Sequence, residues 1–315
     1  MRNFTSVYDV QDLNTLIRTA SSCKLADPLQ RNLGNGKTLG LIFMNPSLRT
    51  RLSTQKAGIN LGMDVMVMNF SGEGWALETK EGIVMDGNKA EHIIEAAAVI
   101  GEYCDIVGLR SFPGLIDRDA DYSEEILNSL IKYSGVPVIS LESATRHPLQ
   151  SLADMVTIEE FKKVDKPKVV MSWAPHPRAL PQSVPNSFVE WASKMDYELI
   201  VTHPEGYELS RSFMDGVQVE YNQDKALQGA DFVYVKNWSS YEQYGKVLST
   251  DPEWMISAKK FENSKEVKVM HCLPVRRNVV IADDILDGNQ SIVIEEAGNR
   301  VFAAQAVIQE ILKSL

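Results

Sequence analysis

Short apolar runs recur along this chain at spacings that leave room for a helix between them. The first half carries them at 38–44, 63–70, 104–110 and 137–143, with helical patterns near 48–61, 89–102 and 122–133. Runs that are apolar throughout, rather than alternating, suit strands buried on both faces. Such strands separated by helices predict an α/β chain with a mainly parallel sheet. The rhythm restarts at Pro167, with expected strands at 168–173, 197–202, 231–236, 267–272 and 291–295. Helices are expected at 185–195, 223–229 and 299–314. A longer helix over 148–162 joins the halves, and proline at its start costs no hydrogen bond. The expected organisation is a first lobe at 1–147, the connecting helix 148–162, a second lobe at 163–298 and a terminal helix at 299–315. Its 315 residues allow two lobes of ordinary size.

Four classes of partner lose their warrant. No apolar stretch approaches the 18 residues or so of a membrane span. Cys23, Cys104 and Cys272 are too scattered for a disulfide framework or a metal knuckle, which suggests a reducing cytoplasm and no cofactor metal. The formal net charge of −10, without a basic stripe, argues against nucleic acid. No Gly-x-Gly-x-x-Gly or Gly-x-x-x-x-Gly-Lys-Ser/Thr follows the first strand, so nucleotide cofactors are not indicated.

Against that acidic background, Pro46-Ser47-Leu48-Arg49-Thr50-Arg51-Leu52 stands directly after the first strand. A helix start offers free amides to an anion, and guanidiniums add fork-shaped donors suited to phosphate. Ser47 is a candidate cap there. A surface salt-bridge face is the plain alternative. Polar groups end other apolar runs as well: Arg110, Glu142, His147 with Gln150, Lys236, and His271-Cys272-Leu273 with Arg276. His147 either polarises a substrate oxygen or caps its own loop. Adjacent strand residues face opposite ways, so His271 and Cys272 are not read as a metal pair. A proline-rich connector, 174–185, reads either as a preorganised substrate loop or as a rigid surface link. The turn Asp86-Gly87-Asn88-Lys89-Ala90-Glu91-His92 leads into a helix.

Taken together, Ser47-x-Arg49-Thr50-Arg51, Arg110, His147-Pro148-x-Gln150, His271-Cys272-Leu273-Pro274 and Arg300 resemble the transcarbamylases, over essentially the whole chain. The proline-rich segment looks like that of the acylornithine group. The resemblance implies a trefoil-knotted second lobe and a homotrimer, with Trp75 reaching a neighbouring active site. It implies carbamoyl phosphate and an N-acylornithine as substrates. Ser47, Leu48, Arg49, Thr50, Arg51 and Arg300 would hold the phosphate. Thr50, Arg110 and His147 would polarise the carbamoyl oxygen. Gln150, Cys272 and Leu273 would orient its NH2. Glu142 and Lys236 would place the acceptor.

N-acetylornithine enzymes carry a glutamate, and N-succinylornithine enzymes a proline, where this chain has Ala90. Alanine leaves volume and adds no negative charge, and Arg178, Lys236 and Arg276 are candidate partners for a succinyl carboxylate. The expected acceptor is therefore N-succinyl-L-ornithine. N-acetylornithine, then ornithine, are the alternatives within the family, and a non-catalytic phosphometabolite binder is the alternative outside it.

Overall fold

The computed structural model describes residues 1–25, 32–70, 72, 74–261 and 266–315. In chain order the elements begin with α1 (Leu13–Leu25), β1 (Thr38–Phe43), α2 (Leu48–Asn60), β2 (Asp64–Asn69), β3 (Leu77–Glu78) and β4 (Glu91–His92). Next come α3 (Ile93–Tyr103), β5 (Ile106–Arg110), α4 (Arg118–Tyr122), α5 (Glu125–Tyr133), β6 (Val138–Glu142) and α6 (Pro148–Phe161). The remainder comprises β7 (Lys168–Trp173), α7 (Ser183–Ala192), β8 (Glu198–Thr202), β9 (Gln218–Glu220), α8 (Gln223–Leu227), β10 (Phe232–Lys236), β11 (Lys268–Met270), α9 (Asp283–Leu286) and α10 (Val293–Leu312).

The chain divides into two compact units. The first holds Met1–Gly114, Asp119–Leu149 and Arg300–Leu315; the second holds Leu115–Arg118 and Gln150–Asn299. In the first, a four-stranded sheet runs β2-β1-β5-β6, all parallel. Its core is Ile42, Val107, Leu109 and Val138 packed against Ala97, Leu127 and Leu130. Because the strands are parallel, their carboxyl ends share one edge. The order turns back between β1 and β5, and such a switch point opens a crevice at the carboxyl edge. The second unit repeats the plan with five parallel strands, β11-β10-β7-β8-β9, and a switch point between β7 and β10.

Three expectations are corrected. The run 291–295 is no strand: Ser291 makes one isolated bridge to Val269, and α10 already begins at Val293. Its β-branched residues resemble a strand, but Glu295 and Glu296 in the first turn suit the positive end of a helix. The helix expected at 122–133 is α5 and starts later, at Glu125, because Glu124 before it has a left-handed backbone (φ 55°) and α4 ends at Tyr122. The helix expected from 89 starts at Ile93, capped by His92, whose Nδ1 accepts from the Ile94 amide at 3.3 Å. Sequence reading did not anticipate α1 or β9. Among the described residues no helix is long and apolar enough to cross a membrane.

Close packing puts a testable limit on α3. A Cβ on Gly101 would lie 1.8 Å from the Ser134 carbonyl oxygen, a backbone atom that cannot swing away, whereas one on Gly87 would meet nothing within 4 Å. Gly101→Ala is expected to destabilise by about 1–3 kcal/mol, and Gly87→Ala to leave the urea-unfolding midpoint unchanged. Equal midpoints for both would contradict this packing.

Candidate active site

The carboxyl edge of the first sheet collects the first group of polar residues. Strand β1 ends at Phe43, and α2 starts five residues later, at Leu48, with Ser47 as its N-cap residue. The Ser47 hydroxyl makes no capping bond, so its expected role as a side-chain cap is not seen. Leu48 is exposed, Arg49 half-buried and Thr50 buried. Arg51 reaches back to the end of β2, where its Nη1 lies 3.5 Å from Asn69 Oδ1. Thr50 Oγ1 accepts from Arg300 Nη2 at 2.8 Å, which ties the start of α2 to α10 across 250 residues.

Next to β1, strand β5 ends in Arg110, and β6 beside it ends in Glu142. These buried side chains form an ion pair, and the Arg110 guanidinium also lies 5.1 Å from the Phe112 ring centroid. His147 stands just before α6. It is 3% exposed, with Nε2 3.7 Å from Glu142 Oε2. Burial pushes its pKa down from 6.5 to about 3; Glu142 opposes that shift, and the charges of Arg300, Arg110 and Arg49 add to it. Three guanidiniums from α2, β5 and α10 thus surround an imidazole that is neutral at any physiological pH. A neutral imidazole has one N–H to donate and no charge. His147 Nδ1 and Arg110 Nε are buried and lack hydrogen-bond partners among the described residues. Orphaned polar atoms in one cluster are what a polar ligand would engage.

One residue that sequence reading missed braces this edge. Glu124 Oε1 accepts from the Ser143 hydroxyl at 2.7 Å, the Thr145 amide at 2.8 Å and the Thr145 hydroxyl at 2.5 Å. It pins the loop that presents His147. Its only unusual local property, a left-handed backbone at a glutamate, is invisible in a sequence.

The second unit gathers its own group. Gln150, in the first turn of α6, donates through Nε2 to Asp154 Oδ1 (2.7 Å) and Glu296 Oε1 (3.1 Å). Its amide nitrogen is thereby turned toward two buried carboxylates. Glu296 Oε2 also accepts from the His271 amide at 2.8 Å, and His271 Nδ1 accepts from the Leu273 amide at 2.8 Å. Strand β11 ends at Met270, so His271 and Cys272 follow it rather than belong to it, and both are buried. Leu273 has a left-handed backbone (φ 55°) that turns the chain there.

At this unit's switch point, Lys236 ends β10 and is buried, its Nζ 3.4 Å from Asn237 Oδ1. The proline-rich connector after β7 is anchored by Ser239, which donates through its amide (2.9 Å) and hydroxyl (2.8 Å) to the Leu180 carbonyl. Within it His176 Nδ1 lies 3.1 Å from the Arg178 amide and 2.9 Å from the Arg178 carbonyl, while its Nε2 accepts from Arg276 Nε at 3.1 Å. Burial lowers the His176 pKa; the Arg178 carbonyl opposes this, and the charges of Arg276, Lys236 and Arg178 reinforce it. The three cations picked from the sequence therefore meet around one histidine, which sequence reading had not singled out. Trp75 is 59% exposed in the first unit, and its indole donates to Glu91 Oε2 at 2.9 Å. Ala90 is exposed beside it. Among the described residues, no group of three or more His, Cys, Asp or Glu could hold a metal ion.

Two parallel α/β units, each with cations at the carboxyl edge of its sheet, define an enzyme class built to hold small anions and transfer a group between them. The aspartate/ornithine carbamoyltransferase carbamoyl-P binding domain matches residues 2–160, and the Asp/Orn binding domain of the same enzymes matches 181–311. The chain belongs to this family and is a carbamoyltransferase. It is 53% identical to an N-succinylornithine carbamoyltransferase of Bacteroides thetaiotaomicron over 317 residues, covering 100% of both chains. An N-acetylornithine carbamoyltransferase of Xylella fastidiosa is 34% identical, with 98% of both covered. A crystal structure of acetylornithine transcarbamylase complexed with acetylcitrulline superposes with a TM-score of 0.92 at 33% identity, covering 99% of each chain.

The buried neutral imidazole has a consequence for stability. The unfolded chain takes up the His147 proton near pH 6.5 and the folded chain only near pH 3. Its contribution is whole above pH 6.5 and is lost as pH falls through that window, with a limiting slope of about 1.4 kcal/mol per pH unit. His147→Gln should therefore lose less stability than the parent between pH 7 and pH 5 in urea unfolding. Parallel pH dependences would show that the imidazole is protonated when folded.

Proposed function

We propose that this chain transfers the carbamoyl group of carbamoyl phosphate to the δ-amine of N-succinyl-L-ornithine, giving N-succinyl-L-citrulline and phosphate, in arginine biosynthesis. The single observation that carries the choice of acceptor is full-length identity of 52–53% to N-succinylornithine carbamoyltransferases, against 34% for an N-acetylornithine enzyme. Ala90 supports it. Structures of N-acetyl-L-ornithine transcarbamylase variants in which a glutamate is replaced by Ala, Val, Ser or Pro are complexed with carbamyl phosphate and N-succinyl-L-norvaline. Where this chain aligns with such a glutamate it already has alanine, and Arg178, Lys236 and Arg276 supply positive charge for a succinyl carboxylate.

The residues divide the work. Ser47, Leu48, Arg49, Thr50 and Arg51 hold phosphate through helix-start amides and side chains, and Arg300 completes the cage. Arg110 and neutral His147, with Thr50, donate to the carbamoyl oxygen as negative charge develops on it. Gln150 and the chain at Cys272 and Leu273 orient the carbamoyl NH2. The unprotonated δ-nitrogen attacks the carbonyl carbon, a C–N bond forms and the C–O bond to phosphate breaks. Phosphate leaves with the electron pair and accepts the proton that the amine gives up. Glu142 and Lys236 place the acceptor, and Glu142 is available for this once bound substrate takes over Arg110. The reading includes a cytoplasmic homotrimer with a knotted second unit, in which exposed Trp75 serves a neighbouring subunit's site.

Steady-state kinetics on ornithine, N-acetylornithine and N-succinylornithine should give the highest kcat/KM for the last. A higher value for N-acetylornithine would sink the choice. Charge-assisted hydrogen bonds contribute roughly 1.5–3 kcal/mol each, so Arg49→Ala should cost about one to two decades in kcat/KM for carbamoyl phosphate while the chain stays folded. Unchanged carbamoyl-phosphate kinetics would remove Arg49 from the site.

A further inference from the structure

The segment that presents Ala90 is exposed along residues 81–88 and again at 90. Nearby, Trp75 and Leu77 line an apolar cavity of about 230 Å³ together with Met44 and Phe70. The contacts made by the neighbours of Ala90 are polar. Strands β3 and β4 pair in parallel, Leu77 with Glu91 and Glu78 with His92. Glu78, 7% exposed, accepts at one oxygen from the Thr79 amide (2.9 Å), the Lys80 amide (3.1 Å) and Lys89 Nζ (3.0 Å). Glu91 accepts from the Trp75 indole at 2.9 Å. Both chain neighbours of Ala90, Lys89 and Glu91, are therefore tied to the 75–78 segment, one through Glu78 and the other through Trp75.

We propose that Glu78 and Glu91 are positioning residues for acyl selectivity: through Lys89 and Trp75 they fix Ala90 where the acyl group is read. This rests on the acceptor reading above. A carboxylate fed by two amides and an ammonium is a strong anchor, since each bond is charge-assisted. The Lys80 amide, then Lys89, hold the Glu78 carboxyl at about 2, far below its usual range, so the anchor keeps its charge across any working pH. Glu78 touches neither of the residue groups assigned to carbamoyl phosphate. Its loss should thus be felt by the acceptor alone.

The test compares the parent, Glu78→Gln, Glu91→Gln and Glu78→Asp in steady-state kinetics with N-succinylornithine and N-acetylornithine, alongside the KM for carbamoyl phosphate and the melting temperature. Both glutamine variants should raise the acceptor KM about tenfold and draw the succinyl-to-acetyl ratio of kcat/KM toward unity. The carbamoyl-phosphate KM should stay within about twofold. Glu78→Asp, which keeps the charge, should retain most of the selectivity. Unchanged acceptor KM and ratio in both glutamine variants would overturn the proposal. So would an equal loss toward both acceptors with a lowered melting temperature, which marks a merely structural role. A parent that prefers N-acetylornithine or ornithine would refute the acceptor reading instead; an unchanged KM for that preferred acceptor in the variants would then refute the positioning role separately.

Discussion

Crowding like charges around a group that refuses to share them is the constraint on which the first unit turns. Arg49, Arg110 and Arg300 all act on His147, and only Glu142 opposes them. Three guanidiniums and one carboxylate leave a local excess of positive charge in a chain whose net charge is −10. Buried charge of one sign is costly unless paired. The ion pair between Arg110 and Glu142 and the hydrogen bond from Arg300 to Thr50 relieve part of that cost. On the reading proposed above, a small dianion would relieve the rest, without any Gly-rich phosphate loop. The imidazole must be neutral for the arrangement to exist, because a fourth positive charge at its centre would oppose the other three.

Topology brings these groups together. Arg49, Arg110 and the pair Glu142 and His147 are separated by tens of residues, yet each stands at or just after the carboxyl end of a parallel strand. The second unit uses the same device, with Lys236 closing β10 and the proline-rich connector leaving β7 beside it. There the charge excess is again positive, and a histidine again stays neutral among cations. His176 spends one nitrogen on the Arg178 backbone and the other on Arg276, so it links two loops that have no sequence proximity.

The sequence displayed this plan unevenly, for physical reasons. Strands buried on both faces are apolar throughout, so β1, β5, β6, β7 and β10 could be placed within a residue or two. The start of α10 could not, because Ile292, Val293 and Ile294 favour extended backbone in isolation and only the long helix that follows overrides them. The late start of α5 after Glu124 was hidden because glutamate carries no local signal for a left-handed backbone. Residues with side chains at strand ends could be picked out by type and place. Glu124, Glu78 and His176 could not, since each acts through partners made near only by folding: Thr145 lies 21 residues on, Lys89 lies 11 on, and Arg276 lies 100 on. Motif residues touch substrate and have a recognisable chemistry; their supports have only a geometry.

That distinction bears on how the reaction can proceed without a protein nucleophile. Carbamoyl phosphate brings its own leaving group, so the protein must hold, polarise and exclude rather than bond. A donor suited to this work keeps its proton and its neutrality throughout. A charged imidazole would add a fourth positive charge beside Arg49, Arg110 and Arg300. A neutral one contributes mainly where negative charge moves onto the carbonyl oxygen. On the reading proposed above, a substrate that engages Arg110 would compete with Glu142 for the guanidinium, and Glu142 would then be available to the acceptor.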